Sequence, residues 1–134
     1  SGTVRALDEG VRKDVAARFQ RMVTAIAEGY GATAEVDYQF GYPPTVNHTE
    51  SVAFAREVAV EVGGAENVTT DRPAQMASED FSYMLEAVPG AYVFLGNGDS
   101  AGLHHAEYDF NDSVAPLGAS FLARLVERAQ PTTG

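Results

Sequence analysis

Two of the three histidines in the chain stand side by side, His104 and His105, within Gly102-Leu103-His104-His105-Ala106-Glu107-Tyr108-Asp109-Phe110-Asn111-Asp112. Neutral imidazole is the commonest side-chain metal ligand, and loops held by a rigid scaffold are where such ligands usually sit. A histidine beside glycine, just ahead of a carboxylate-rich turn, is therefore placed for metal coordination. Taken alone the pair falls short, because a zinc site takes three or four donors. An exposed loop in which His is only a polar residue also accounts for it.

A second group with chemical potential lies upstream, in Ser78-Glu79-Asp80-Phe81 ahead of the short apolar run Phe81, Met84 and Leu85. Two readings stand for Glu79 and Asp80. Acids in the first turn of a helix complement its macrodipole, with Ser78 as N-cap, and this needs no catalysis. Alternatively they line a ligand cleft near the carboxyl ends of strands, where open α/β sheets place their ligands.

Five segments in order widen the basis: Gly2-Thr3-Val4-Arg5, Gly41-Tyr42-Pro43-Pro44-Thr45-Val46-Asn47, Ser78-Glu79-Asp80-Phe81, Pro89 through Gly96, and Leu103 through Asp112. Together they resemble the C-terminal part of the metal-dependent amidohydrolase and aminoacylase family that includes hippurate hydrolase, the auxin-conjugate amidohydrolases and carboxypeptidase G. Any one of these segments would be a weak signal. Their order across nearly the whole chain is specific.

The resemblance implies a fold, an activity and a set of roles. The fold is α/β: the C-terminal half of a ferredoxin-like lid domain, then the C-terminal part of a metallopeptidase-like α/β/α catalytic domain. The activity is hydrolysis of the amide bond of N-acyl amino acids, hippurate-like or aryl-acyl conjugates, with two divalent metal ions (Zn, Mn, Co or Ni). His104 matches the family's metal-ligand histidine, whereas His105 occupies a variable position that supports a ligand or faces solvent. Arg5 matches a lid arginine used near the substrate carboxylate, a task that suits a planar guanidinium; a plain solvent-facing strand arginine is its other reading. Tyr108, Asp109, Phe110 and Asn111 would fix the His104 loop. Asn47 has a turn role and His48 is exposed beside it. The family's general base lies in a half that this chain does not carry, and the family's N-terminal His- or Cys-containing motif and Glu-Glu pair are absent. The chain is thus expected to be a C-terminal fragment beginning inside the lid, inactive alone, from a parent that dimerises through that lid. The competing reading from another class is a non-catalytic assembly module of the same lineage.

The elements that must position these residues follow from periodicity. Thr3-Val4-Arg5-Ala6-Leu7 and Thr33 through Phe40 alternate as half-buried strands. Between them Asp8 caps a helix whose stripe is Val11, Val15, Phe19, Met22 (or Val23) and Ile26, with Arg12, Lys13, Arg18 and Arg21 wet and Gly29 and Gly31 as stop. A second helix starts at a Thr49 or Ser51 cap, carries Val52, Phe54, Ala55, Val58, Ala59 and Val62, and ends at Gly63-Gly64. Asn67 to Thr70 and Tyr92 to Leu95 read as strands, the latter buried on both faces. The last helix starts at Asn111 or Ser113, tolerates Pro116 in its first turn, and turns Leu117, Phe121, Leu125 and Val126 inward, with Arg124 and Arg128 outward. Residues 1–42 form the partial lid, 43–48 a linker at the Pro43-Pro44 break, 49–130 the catalytic part and 131–134 a frayed tail.

Composition limits the partners. A 134-residue chain that is 45% hydrophobic has enough apolar material for one modest core. A formal charge of −10 and a pI near 4.5 argue against nucleic acid and against an anionic membrane surface. No apolar run approaches the roughly 18–20 residues of a membrane span. The absence of cysteine excludes disulfides and thiolate zinc sites within the chain. A cytoplasmic origin is the default expectation, with a small N-acylated amino acid as the only partner besides a second subunit.

Overall fold

Asp8 begins the first regular element: its carboxylate accepts the Val11 N–H at 2.8 Å, satisfying one of the donors that a helix start leaves over. Helix α1 runs Glu9–Gly29 and closes through Tyr30 and Gly31, whose φ of +68° is a conformation that glycine takes without strain. The computed structural model describes residues 1–130, so the tail expected at 131–134 lies outside the described residues. Helix α2 is Thr49–Gly63, α3 is Phe81–Ala87 and α4 is Ala115–Ala129, with short 3-10 turns at Ala65–Asn67 and Asp112–Val114. No helix among the described residues is long and apolar enough to cross a membrane.

The strands expected at Thr3–Leu7, Thr33–Phe40, Asn67–Thr70 and Tyr92–Leu95 are not formed: no residue among those described belongs to a β-ladder. The described fold is therefore helical. A strand is defined by hydrogen bonds to a neighbour, and alternation in sequence does not supply that neighbour. Val93, Phe94 and Leu95, expected to be buried on both faces, are exposed.

The chain divides into two compact units, one of Ser1–Val46 with Pro73–Pro89, the other of Asn47–Arg72 with the described residues from Gly90 onward. In the first, Ala16 of α1 and Ser82 and Leu85 of α3 are buried. Residues 33–40, without being a strand, lie along α1 through aromatic contacts: Tyr38 meets Phe19 at 6.0 Å and Phe40 at 5.3 Å between ring centroids. Arg12 is not wet, as its place in the helical pattern suggested. It stacks over Phe40 at 4.8 Å, donates to the Gly41 carbonyl and pairs with Glu9 at 2.9 Å.

In the second unit α2 packs along α4, and Val58 of α2 is completely buried. Gly64 ends α2 at φ +85°. Neither Thr49 nor Ser51 caps α2. The N-cap is His48, whose side chain makes no cap bond because its ring is engaged elsewhere: Nδ1 accepts the Gly90 N–H at 3.2 Å while the His48 N–H donates to the Gly90 carbonyl at 3.0 Å. Asn47 reinforces the junction, accepting the Tyr92 N–H at 2.7 Å and donating to the Tyr92 carbonyl at 2.9 Å. On α4, Arg124 and Arg128 do not point away from the packing. They pair with Glu61 and Glu57 of α2, while Leu122 and Val126 remain 62% exposed. Long basic side chains can lay their stems along a helix interface and keep their charge near water, so residue type alone did not settle which α4 face meets α2.

Candidate functional site

The His104 loop belongs to the second unit and is built from overlapping turns. The His105 N–H donates to the Gly102 carbonyl at 3.1 Å and the Tyr108 N–H donates to the His105 carbonyl at 3.0 Å. His104 falls at the third position of the first turn, with φ +68°, the only non-glycine residue in the left-handed region among those described. A positive φ at that position is what a type II turn requires, and glycine or asparagine is its usual occupant. Histidine there costs on the order of 1 kcal/mol, and backbone strain of this kind gathers at functional sites. The His104 side chain is exposed.

His105 is used differently. Its Nδ1 accepts the Glu107 N–H at 3.1 Å, which ties that ring to the backbone of its own loop. The neck of the loop is closed by Asn97, a residue to which sequence reasoning assigned no role. Asn97 Nδ2 donates to the Asp109 carbonyl at 2.8 Å and to Ser100 Oγ at 2.9 Å, while its Oδ1 accepts the Asn111 N–H at 2.8 Å. Asn111 in turn caps the turn leading into α4, its Oδ1 accepting from the Ser113 N–H at 3.1 Å and the Ser113 hydroxyl at 2.6 Å. Asn97, Asp99, Glu107, Asp109 and Asp112 line an open polar depression beside this neck. An Asn in a Gly-flanked loop reads from sequence as a turn residue, and a reciprocal bond to a backbone fourteen positions away has no local signature.

His104 suits a metal as one exposed imidazole donor. No group of three His, Cys, Asp or Glu side chains that could hold a metal ion occurs among the described residues.

Arg5, Glu79 and Asp80 fall in the first unit. Arg5 donates to the Ser78 hydroxyl, so Ser78 faces Arg5 and does not cap α3. The N-cap is Asp80, whose side chain makes no cap bond; Glu79 Oε1 instead accepts the Phe81 N–H at 3.4 Å. Ser82, buried, donates to the Glu79 carbonyl at 2.6 Å. The fold thus brings the Arg5 guanidinium beside the turn that carries Glu79 and Asp80, with Glu79 closing the helix start.

Comparison with known proteins places the sequence in a lineage. The profile of peptidase family M20/M25/M40 matches residues 3–128. Hippurate hydrolase of Campylobacter jejuni is 36% identical over 123 residues, covering 92% of this chain and 32% of that protein. An IAA-amino acid hydrolase of Arabidopsis thaliana is 32% identical over 136 residues, covering 95% and 31%. N-acetyldiaminopimelate deacetylase of a Geobacillus strain is 34% identical over 121 residues, covering 90% and 32%. The chain therefore spans about a third of the length of the curated relatives it matches. No solved structure matches it. With the profile covering nearly every described residue, the His104 loop included, the chain belongs to peptidase family M20/M25/M40.

Proposed function

We propose that the chain is the C-terminal part of a metal-dependent amidohydrolase that cleaves the amide bond of N-acyl amino acids. The family match over residues 3–128 carries this reading, supported by relatives whose names specify hippurate, IAA-amino acid and N-acetyldiaminopimelate as their substrates. In it, His104 is one ligand of a divalent metal, and the other ligands and the general base come from parts of the parent outside this chain. The metal, when bound, polarises the scissile carbonyl and activates water. Arg5 receives the substrate carboxylate, with Glu79 and Asp80 on the turn beside it. The apolar segment at residues 92–95, exposed at Val93, Phe94 and Leu95, becomes a strand of an α/β sheet whose neighbours the rest of the parent supplies.

The test is expression of the complete reading frame beside the 134-residue chain, with hippurate and N-acetyl amino acids as substrates. The complete protein releases free amino acid and loses that activity on chelation and in His104→Ala, while His105→Ala keeps it. The isolated chain hydrolyses nothing. A metal-loaded complete protein that cleaves no N-acyl amino acid, or an active 134-residue chain freed of contaminating enzyme, overturns the proposal.

A second reading, in which the first unit is an assembly surface that pairs subunits, is supported by the exposed Val11, Met22 and Ile26 of α1. Sedimentation of Met22→Glu decides it: a complete protein that stays dimeric in this variant does not pair through that face.

A further inference from the structure

We propose that Asn97 is the positioning residue of the His104 loop, its carboxamide holding the two ends of the loop together so that the histidine keeps its left-handed backbone. The proposal rests on the hydrolase reading given above and extends it to a residue outside the ligand and substrate positions.

The geometry is reciprocal. One carboxamide donates to the Asp109 carbonyl and accepts from the Asn111 N–H, both at 2.8 Å, so a side chain at the start of the loop takes the place of a backbone neighbour at its end. The segment so closed, residues 98–110, holds His104 and the two turns that set it. Gly98 next to the clamp has φ +81°, which lets the chain leave Asn97 in a direction that side-chain-bearing residues rarely adopt. The clamp also connects to a regular element, because Asn111 caps the turn entering α4. Strain at His104 persists only if its surroundings over-determine it, and within this chain the clamp joins the two ends of the loop that carries it. Asn97 supplies that constraint from a half-buried position, with a third bond to Ser100 Oγ at 2.9 Å.

Asn97→Ala removes all three bonds. Asn97→Asp keeps the acceptor for the Asn111 N–H and loses the donor to Asp109. In the 134-residue chain, amide hydrogen exchange at Asn111, His105 and Tyr108 is expected to accelerate at least about tenfold in Asn97→Ala and less in Asn97→Asp, with α2 amides unchanged. In the complete protein, kcat for an N-acyl amino acid falls about 10–100-fold with KM within a few-fold, and Asn97→Asp recovers part of it. Loop amides unaffected in Asn97→Ala overturn the clamp, as do α2 amides that accelerate equally, which would mean general unfolding. A loosened loop with kcat unchanged overturns the positioning role. A complete wild-type protein that cleaves no N-acyl amino acid sinks the hydrolase reading, and with it the catalytic use of the loop, while the exchange rates still decide whether Asn97 closes it.

Discussion

Arg124 on α4 brings Nε and Nη2 each to 2.7 Å from the same oxygen of Glu61 on α2. Hydrogen bonds donated to Glu61, then to Glu127, raise the pKa of the Arg124 guanidinium, and Coulomb attraction adds to it. Arg128 completes the row, with Glu57 at 2.8 Å and its guanidinium carbon 5.5 Å from the centroid of the Phe54 ring. Ion pairs this open to solvent are screened and contribute little each. Arg124→Ala is expected to lower Tm by less than about 4 °C at low salt, and by less still in 1 M NaCl. Thermal melts at the two salt concentrations check it, and a larger loss at high salt would sink the electrostatic account.

The packing between these helices depends more on Val58. It is fully buried, so Val58→Ala removes two methyl groups from a site that water does not reach. The expected cost is about 2 kcal/mol in urea unfolding, transfer and cavity contributions together. Leu122→Ser, at a position 62% exposed, is expected to change the stability of this chain little. Equal losses in the two variants would place the core elsewhere.

Left-handed backbone at His104 separates stability from function. His104→Gly removes the strain at φ +68° and is expected to leave the stability of the chain unchanged or raised by up to about 1 kcal/mol, whereas His104→Val costs about 1–2 kcal/mol. In the complete protein His104→Gly is nonetheless expected to be inactive, on the ligand role proposed for His104. Denaturation midpoints of the two variants and the unsubstituted chain test the backbone argument independently of activity.

The Thr69 hydroxyl donates to the Asp71 carboxylate and, as the largest cause, holds its pKa below the ordinary value, with a backbone hydrogen bond adding to the effect. A depressed folded-state pKa contributes stability above the unfolded-state value, and that contribution is lost as pH falls through the folded-state value. Thr69→Val is expected to shift the Asp71 midpoint upward, followed by carboxyl-carbon NMR. An unchanged midpoint would assign the depression to the backbone alone.

At the first helix, Asp8→Ala removes the acceptor of the Val11 N–H and is expected to cost about 1 kcal/mol, with fraying confined to the first turn of α1 by hydrogen exchange.

What the sequence by itself determined was local. The Asp8 cap, the stops at Gly29 and Gly64 and Pro116 in the first turn of α4 all follow from residues within one helical turn of one another, where the backbone's own unpaired groups set the demand, whereas Asn111, read as a start of the last helix, caps the 3-10 turn ahead of it and Val114 is the N-cap of α4. Ordered motifs also carried the family, because five short segments in sequence are improbable by chance. Tertiary structure decided everything that needs a distant partner. Alternation at Thr33–Phe40 did not make a strand, since a ladder requires a neighbouring backbone. Ser78 read as a cap and turned to Arg5; Arg12 and Arg124 read as wet and turned to Phe40 and Glu61. Asn97 carried no role in sequence and closes the His104 loop, because its two backbone partners stand twelve and fourteen residues away and only folding brings them within hydrogen-bond reach.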